Sequence, residues 1–420
     1  MQFETFFLAH SAMLLVVFFL SIILGIVVNK TNFCTMGAIS DLVNIGDASR
    51  MRSWFLAISI ALCGASILEY FGYLDLSSTF PPYRSNILIF GENIIGGLLF
   101  GVGMTLASGC GNKCLIRIGG GNIKSIFVFA IIGLISYYML NPFPGSDKTL
   151  FSVLFYDWLR PVSIELSTNQ DIASFMPVEN LSFARFAVGL ILGAALLFYI
   201  LKSKEFRSNR DYWLGGLIVG LAVLFAWYLT ANISINADDE SLRLGEYHEQ
   251  WDMFMDSDEN KPATSAALST QSFTFINPMG QTGAYLFGGF ESILLTFGVM
   301  AVFGVILGSL VWSLITGTFK IEWFSSLADF KNHIIGGILM GFGGTLALGC
   351  TVGQAISGIS TLALGSIITF SAIFLSAAMT MKIQYYRMVY ENEATLMQVF
   401  ITSFVDLKLL PESLRKLKNI

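Results

Sequence analysis

Ile94–Cys110 reads IIGGLLFGVGMTLASGC, and Ile334–Cys350 reads IIGGILMGFGGTLALGC. The two stretches lie 240 residues apart and agree at twelve of seventeen positions. Each is apolar and glycine-rich, and each closes on Gly-Cys. A helix from Ile94 to Ala107 rises roughly 21 Å at about 1.5 Å per residue. The hydrocarbon core of a bilayer is about 30 Å thick. Each copy is therefore expected to run out inside the membrane, near Gly109-Cys110-Gly111 in the first and Gly349-Cys350-Thr351-Val352-Gly353 in the second. Broken backbone at that depth is tolerated only where it is buried in protein or lines a cavity. The glycines are expected to supply positive φ and to leave amide N–H groups free to hold an anion, aided by the start of a following short helix. The competing reading is packing. Gly97 with Gly101, and Gly337 with Gly341, are small-xxx-small pairs suited to close helix contact. Packing does not explain why both copies end in a thiol.

The rest of the chain supports a membrane setting. Of 420 residues, 54% are hydrophobic and only 13% charged, with a mean hydropathy of +0.68. Soluble domains run near a quarter charged. Candidate spans fall at about 11–28, 54–71, 92–110, 123–140, 182–201, 212–230, 286–316, 334–350 and 364–381. The first is expected to be a true span, since Gln2–His10 lacks a basic residue and no small-residue cleavage site follows. The seventh is too long for one helix, and Met279–Phe290 is expected to be a separate surface helix. The fold class is all-α: a polytopic membrane protein of about nine helices, with an inverted internal repeat and broken or short re-entrant helices at its centre.

Loop charge gives the orientation. In a nine-span arrangement, 18 of the 24 basic residues fall on one side, from Lys30, Arg50 and Arg52 to Lys408, Arg415, Lys416 and Lys418. The opposite loops are acidic, with Asp238, Asp239, Glu240, Glu246, Glu249, Asp252, Asp256, Asp258 and Glu259 in one of them. The N-terminus is then outside and the C-terminus cytoplasmic. The two Gly-Cys segments cross in opposite senses, the inverted-repeat pattern of many transporters. One transport domain, 1–420, divides into a first repeat half (11–140), an exoplasmic loop (141–181), linking helices (182–230), an acidic exoplasmic loop (231–285), a second repeat half (286–381) and a cytoplasmic tail (382–420). The tail from Gln384 reads as amphipathic surface helix.

Five cysteines are present: Cys34, Cys63, Cys110, Cys114 and Cys350. None lies in the long polar loops, which argues against a disulfide framework. Cys63 reads as packing. Cys114 follows Cys110 by four residues, on the same helix face, but Gln354 takes its place in the other copy. A third thiol of interest lies in Asn32-Phe33-Cys34-Thr35-Met36-Gly37-Ala38, within a weakly polar stretch able to dip into the protein. The second half has no cysteine after its matching span, where Thr318-Phe319-Lys320 stands instead.

Three chemistries compete for these thiols. Metal transport is poorly supplied, because Cys110-x-x-x-Cys114 lacks zinc-ligand spacing and has no histidine nearby. A membrane sulfur-transfer or oxidoreductase enzyme needs an activated nucleophile, yet no His or Asp lies close in sequence to Cys110 or Cys350. A soft anion fits better. A neutral S–H donates weakly to a sulfur atom without repelling a dianion, and weak sites let the ion leave. No metal or cofactor is called for.

The pattern NFCTMGAISDL with GDASRMR downstream, followed by two GG-x₃-G-x-G-x-TLA-x-GC segments, resembles the YeeE/YedE family of sulfur-transport membrane proteins. The resemblance covers about 11–140 and 290–381 and leaves out the two long exoplasmic loops. It implies import of thiosulfate into bacteria across the inner membrane, with Cys34, Cys110 and Cys350 as the thiols past which the anion is relayed. Some relatives are tied to selenium metabolism, so a selenium-related anion is the alternative cargo. The resemblance also implies a small cytoplasmic persulfide-carrier sulfurtransferase as partner, alongside the lipid bilayer.

Other polar residues join the candidate pathway. Thr105 and Thr345 match across the repeats and either bond within their helices or reach the waist. Asn112 and Lys113 flank Cys110, and Lys113 is placed to attract an anion at the inner mouth. Gln354 offers a donor near Cys350. Glu69 and Glu291 fall in or near spans, where carboxylates are functional candidates by default or simply mark an interface. Asp47, Arg50 and Arg52 either orient the Cys34 segment or mark the cytoplasmic face.

Overall fold

The computed structural model describes residues 1–237, 240–254, 261–262, 264–390 and 393–417. Asp238, Asp239, Asp256, Asp258 and Glu259 of the acidic loop, and Lys418 of the tail, lie outside the described residues. Eight helical stretches among the described residues are long and apolar enough to cross a bilayer: Phe6–Ile45, Ser49–Tyr70, Phe90–Gly119, Ile123–Leu140, Leu181–Leu201, Arg210–Ala231, Phe297–Ile315 and Leu364–Tyr390. The expected ninth, 334–350, lies in a helix that starts earlier, at Leu327. Its opening turns carry Asp329, Lys331, Asn332 and His333 and dilute its apolar character. The chain is an all-α polytopic membrane protein.

In chain order the helices are α1 (Phe6–Thr31), α2 (Thr35–Ser40, extended by a π-helical turn Asp41–Ile45), α3 (Ser49–Tyr70), α4 (Phe90–Leu106), α5 (Gly111–Gly119) and α6 (Ile123–Leu140). Next come α7 (Leu181–Leu201), α8 (Arg210–Ala231), α9 (Ile276–Phe287), α10 (Phe297–Ile315) and α11 (Leu327–Leu346). A π-helical turn Val352–Gly358, α12 (Leu364–Tyr390) and α13 (Leu396–Asp406) complete the bundle. Side chains of Thr5, Asn122, Asn180, Thr296 and Ser326 cap the starts of α1, α6, α7, α10 and α11, supplying acceptors for amides that lack an intrahelical partner.

Packing repeats across the two halves. α1 lies on α10 as α8 lies on α3, and α4 lies on α12 as α11 lies on α6. At the middle, α4 and α11 cross each other with reciprocal glycine contacts. A Cβ at Gly96 meets Ala347 N at 2.7 Å and Gly343 O at 2.8 Å, and one at Gly336 meets Ala107 N and Gly103 O, both at 2.7 Å. The start of each helix thus faces the end of the other, as an inverted pair requires. The expected packing glycines also find partners: Gly97 faces Ala372 on α12, while Gly337 and Gly341 face Ile131 and Ile135 on α6.

Two expectations are corrected here. The helix anticipated at Met279–Phe290 is α9, and it is not a surface helix. Ile276, Pro278, Met279, Gly280 and Thr282 are buried, and the helix packs on α6. In the packing scheme α9 stands where α2 stands in the first half, between the partners of α1 and α3. The counterpart of the Cys34 segment therefore precedes α10, at Thr274-Phe275, and is not Thr318-Phe319-Lys320 after it.

The segments at the N-terminal face knit together. Gln2 pairs in parallel with Ser234, Thr79 with Thr270, and Ile87 antiparallel with Glu165. Beneath them Glu69 receives two hydrogen bonds from Arg84, which also donates through Nε to Thr361 O at 2.6 Å. Arg185 joins Glu69 at 3.6 Å to Asp171 at 2.7 Å. Burial opposes ionisation of Asp171, but hydrogen bonds from Arg185 and Ser174 outweigh it and hold the carboxyl below the usual range. The network clamps α3 and α7 to the segments that carry Arg84, Asp171 and Thr361. Glu69 is thus held in an ion-pair clamp.

Candidate functional site

Both repeat helices stop in the same way. After α4, Ser108 takes φ 58°, and after α11, Leu348 takes φ 57°. Gly109 N then bonds back to Met104 O at 2.9 Å, and Gly349 N to Gly344 O at 2.8 Å. These are Schellman closures, which usually place glycine at the left-handed position. Here serine and leucine occupy it, at a cost of roughly 1–2 kcal/mol each. The expected positive φ at Gly109, Gly111, Gly349 and Gly353 is absent. Those glycines instead make room. A Cβ at Gly111 meets Ile276 Cδ1 at 3.1 Å, and one at Gly353 meets Thr274 Oγ1 at 2.5 Å.

Each break is followed by a thiol and then a new helix start. Cys110 precedes α5, Cys350 precedes the turn containing Val352–Gly358, and Cys34 caps α2 with Sγ 3.5 Å from Gly37 N. The three starts converge. Cys110 neighbours both Cys34 and Cys350, with the Thr351 side chain and the Lys113 amide within reach of its sulfur. Thr35 Oγ1 donates to Thr351 Oγ1 at 2.9 Å, tying the first and third starts together. Amides of Phe275, Val352 and Gly353 and the hydroxyl of Thr274 surround the Cys350 sulfur, so the α9 start completes the ring. Helix N-termini carry partial positive charge. Four of them clustered here favour an anion, with Lys113 and Arg50 as nearby cations on the Cys34 side. Cys34, Cys110 and Cys350 are 7%, 2% and 0% exposed, so the centre is closed to both faces.

Residues 30–379 match the family model described as "Sulphur transport". The chain belongs to the sulphur-transport family. Two relatives carry the name "Thiosulfate transporter TsuA". The one from Spirochaeta thermophila is 23% identical over 351 residues, covering 81% of this chain and 90% of the relative. The one from Escherichia coli is 22% identical over 353 residues, covering 80% of this chain and 84% of the relative.

In this member of the sulphur-transport family the other candidates take diverse places. Thr105 and Thr345 bond back to Gly101 O at 3.0 Å and Gly341 O at 2.7 Å, within their own helices. Gln354 donates to Ala347 O, pinning the end of α11, while its Oε1 and Asn112 Oδ1 are buried without partners. Lys113 Nζ donates to Asn32 Oδ1 at 2.7 Å and has Cys34, Cys110, Arg50 and Arg117 as charged or polar neighbours. Arg50 pairs with Asp41 at 3.1 Å and reaches Gly37, so it orients the Cys34 helix. Arg52 instead lies over the Tyr199 ring. Glu291 is exposed in the turn before α10, not inside a span. Cys63 packs against Gly193 between α3 and α7.

Cys114 is turned toward α6, its Sγ donating to Ser125 O at 2.9 Å between α5 and α6. Cys114→Ala is expected to retain at least about half of wild-type transport. It removes one net hydrogen bond of about 1 kcal/mol, which a thermal melt of the purified protein registers as a small shift. Two residues of the site escaped the sequence reading: Thr274 and Tyr83. Both come from loops that lie outside the repeated segments, and only the Ser-Phe-Thr-Phe polar–aromatic alternation at Ser272–Phe275 hints at the former.

Proposed function

We propose that this chain is a thiosulfate transporter of a bacterial cytoplasmic membrane, with its N-terminal face outward. The observation that carries this reading is the convergence of Cys34, Cys110 and Cys350, each immediately ahead of a helix start, at one closed centre. The names of the two relatives and the family membership supply the cargo class. The anion passes from Cys350, beside the N-terminal-face loops, to Cys110 and then Cys34, beside Lys113 and Arg50. Neutral thiols donate S–H to the terminal sulfur in turn, while the helix-start amides and Thr35, Thr351 hydroxyls face its oxygens. No bond to cysteine forms or breaks, and the protein is no enzyme in this reading. A thiolate at any of the three positions repels a dianion, which is why the neutral form is required. A cytoplasmic persulfide-carrier sulfurtransferase is the partner that receives the sulfur.

The test is uptake by purified protein in liposomes. Labelled thiosulfate is expected to enter protein-containing vesicles and not empty ones, with sulfate, sulfite, selenite and selenate entering far more slowly. Faster movement of a selenium oxyanion or of sulfate replaces the substrate. No anion movement at all removes the reading.

A further inference from the structure

Two buried hydroxyls beside Cys350 make no hydrogen bond of good geometry, although that of Thr274 lies within reach of the Cys350 sulfur. Tyr83 is 4% exposed and Thr274 is 9% exposed, and neither Tyr83 Oη nor Thr274 Oγ1 makes a well-formed hydrogen bond. Buried hydroxyls are almost always paired, and leaving one unpaired costs about 1–3 kcal/mol. Both are rigidly held. Tyr83 packs edge-on against Trp227, ring centres 6.3 Å apart. Thr274 lies between Phe273 and Phe275, whose rings stack 6.1 Å apart, and Ser357 Oγ fastens Phe273 O at 2.8 Å.

The two hydroxyls share one small space. A Cβ at Gly353 lies 2.5 Å from Thr274 Oγ1 and 3.4 Å from Tyr83 Oη, and a Cβ at Gly349 lies 3.0 Å from Thr274 Oγ1. Glycine at both positions lets the hydroxyls approach the backbone on either side of Cys350, an approach that a methyl would block. Arg84, the neighbouring cation, is committed to Glu69 and to Thr361 O. The groups that approach Cys350 here are thus neutral donors, the kind that hold an oxyanion weakly enough to release it. A purely apolar passage has no use for two buried hydroxyls aimed at a glycine.

We infer that Tyr83 and Thr274 form an oxyanion subsite on the N-terminal-face side of Cys350, donating to the oxygens of a tetrahedral sulfur oxyanion while Cys350 meets its terminal sulfur. This rests on the transporter reading above and adds a direction to it. The cargo travels sulfur-first, with its oxygen-bearing end trailing on the two hydroxyls. Tyr83 and Thr274 therefore set apparent affinity and selectivity for the oxygen-bearing end.

The experiment is thiosulfate uptake into liposomes by the full chain and by Tyr83→Phe, Thr274→Val and Thr274→Ser. Phenylalanine and valine keep the shape and lose the hydroxyl; serine keeps the hydroxyl and loses the methyl. Tyr83→Phe and Thr274→Val are each expected to raise KM roughly tenfold with maximal rate retained, and Thr274→Ser to stay near wild type. Unchanged KM in the hydroxyl-free variants overturns the subsite, as does a serine variant impaired as much as the valine one, since shape alone then matters. If the wild-type protein moves no thiosulfate, the transporter reading falls and the subsite with it. If it does and the variants match it, only the subsite falls.

Discussion

Cys110→Ala is expected to cut thiosulfate uptake by at least about tenfold, the equivalent of losing roughly 1.4 kcal/mol at the highest barrier of the pathway. Cys110 is the middle member of the cluster, with Cys34 on one side and Cys350 on the other. Removing it leaves a gap between Cys350 and Cys34 that backbone amides alone must bridge. Cys350→Ala is expected to act as strongly, because the amides of Phe275, Val352 and Gly353 converge on its sulfur. The replacement removes one sulfur from a packed site, and Ala is compatible with the extended backbone of Cys110 (φ −76°, ψ 175°), so the variants should fold. Size-exclusion profiles and thermal melts check that directly. Serine at either position separates donor strength from softness: a hydroxyl donates better than a thiol but contacts sulfur less well. Wild-type uptake by a folded Cys110→Ala protein removes the relay. An added sulfur on any cysteine, seen as a mass increase during turnover, turns the transporter into a covalent carrier.

The repeated segments made much of this site readable. Their length against the bilayer placed the breaks, and the shared Gly-Cys ends put thiols at both. The structure locates those breaks at Ala107–Cys110 and Ala347–Cys350, after α4 and α11. Other features came from long-range approach, which periodicity does not record. The left-handed residues are Ser108 and Leu348 rather than the adjacent glycines; Gly109 instead gives clearance against Lys113, and Gly111, Gly349 and Gly353 against Ile276, Thr274 and Tyr83. The surface helix expected at Met279–Phe290 is the buried α9, whose polar Asn277, Gln281 and Thr282 suit water as well as a polar centre. Thr282 bonds back to Pro278 O at 2.7 Å and Gln281 Oε1 accepts from Thr296 Oγ1 at 2.7 Å, so these polar groups are satisfied inside the protein. Tyr83 lies in a loop without a repeat partner, and Thr274, in the counterpart of the Cys34 segment, carries no thiol to mark it, so nothing in the sequence tied either to Cys350.

Gly343→Ala is expected to lower the apparent melting temperature by several degrees and to remove most transport. The added methyl meets Phe100 N at 2.5 Å and Gly96 O at 2.6 Å. Both are backbone atoms, so no rotamer change relieves the clash, and α4 and α11 must part by roughly 1 Å to restore ordinary contact. Overpacking of this kind costs about 1–3 kcal/mol where neighbours can shift. Here the neighbours are the two helices whose ends carry Cys110 and Cys350. Parting them spreads the thiols as well as weakening the bundle, which couples the stability loss to the transport loss. The reciprocal contact predicts the same for Gly103→Ala, whose methyl meets Gly336 O at 2.7 Å and Met340 N at 2.8 Å. Gly283→Ala is the control, since a Cβ there meets nothing within 4 Å and a helical alanine stabilises by up to about 1 kcal/mol. A Gly343→Ala protein with wild-type melting and uptake means that the crossing tolerates separation, and the inverted pair then positions the thiols through α5 and the Val352–Gly358 turn instead.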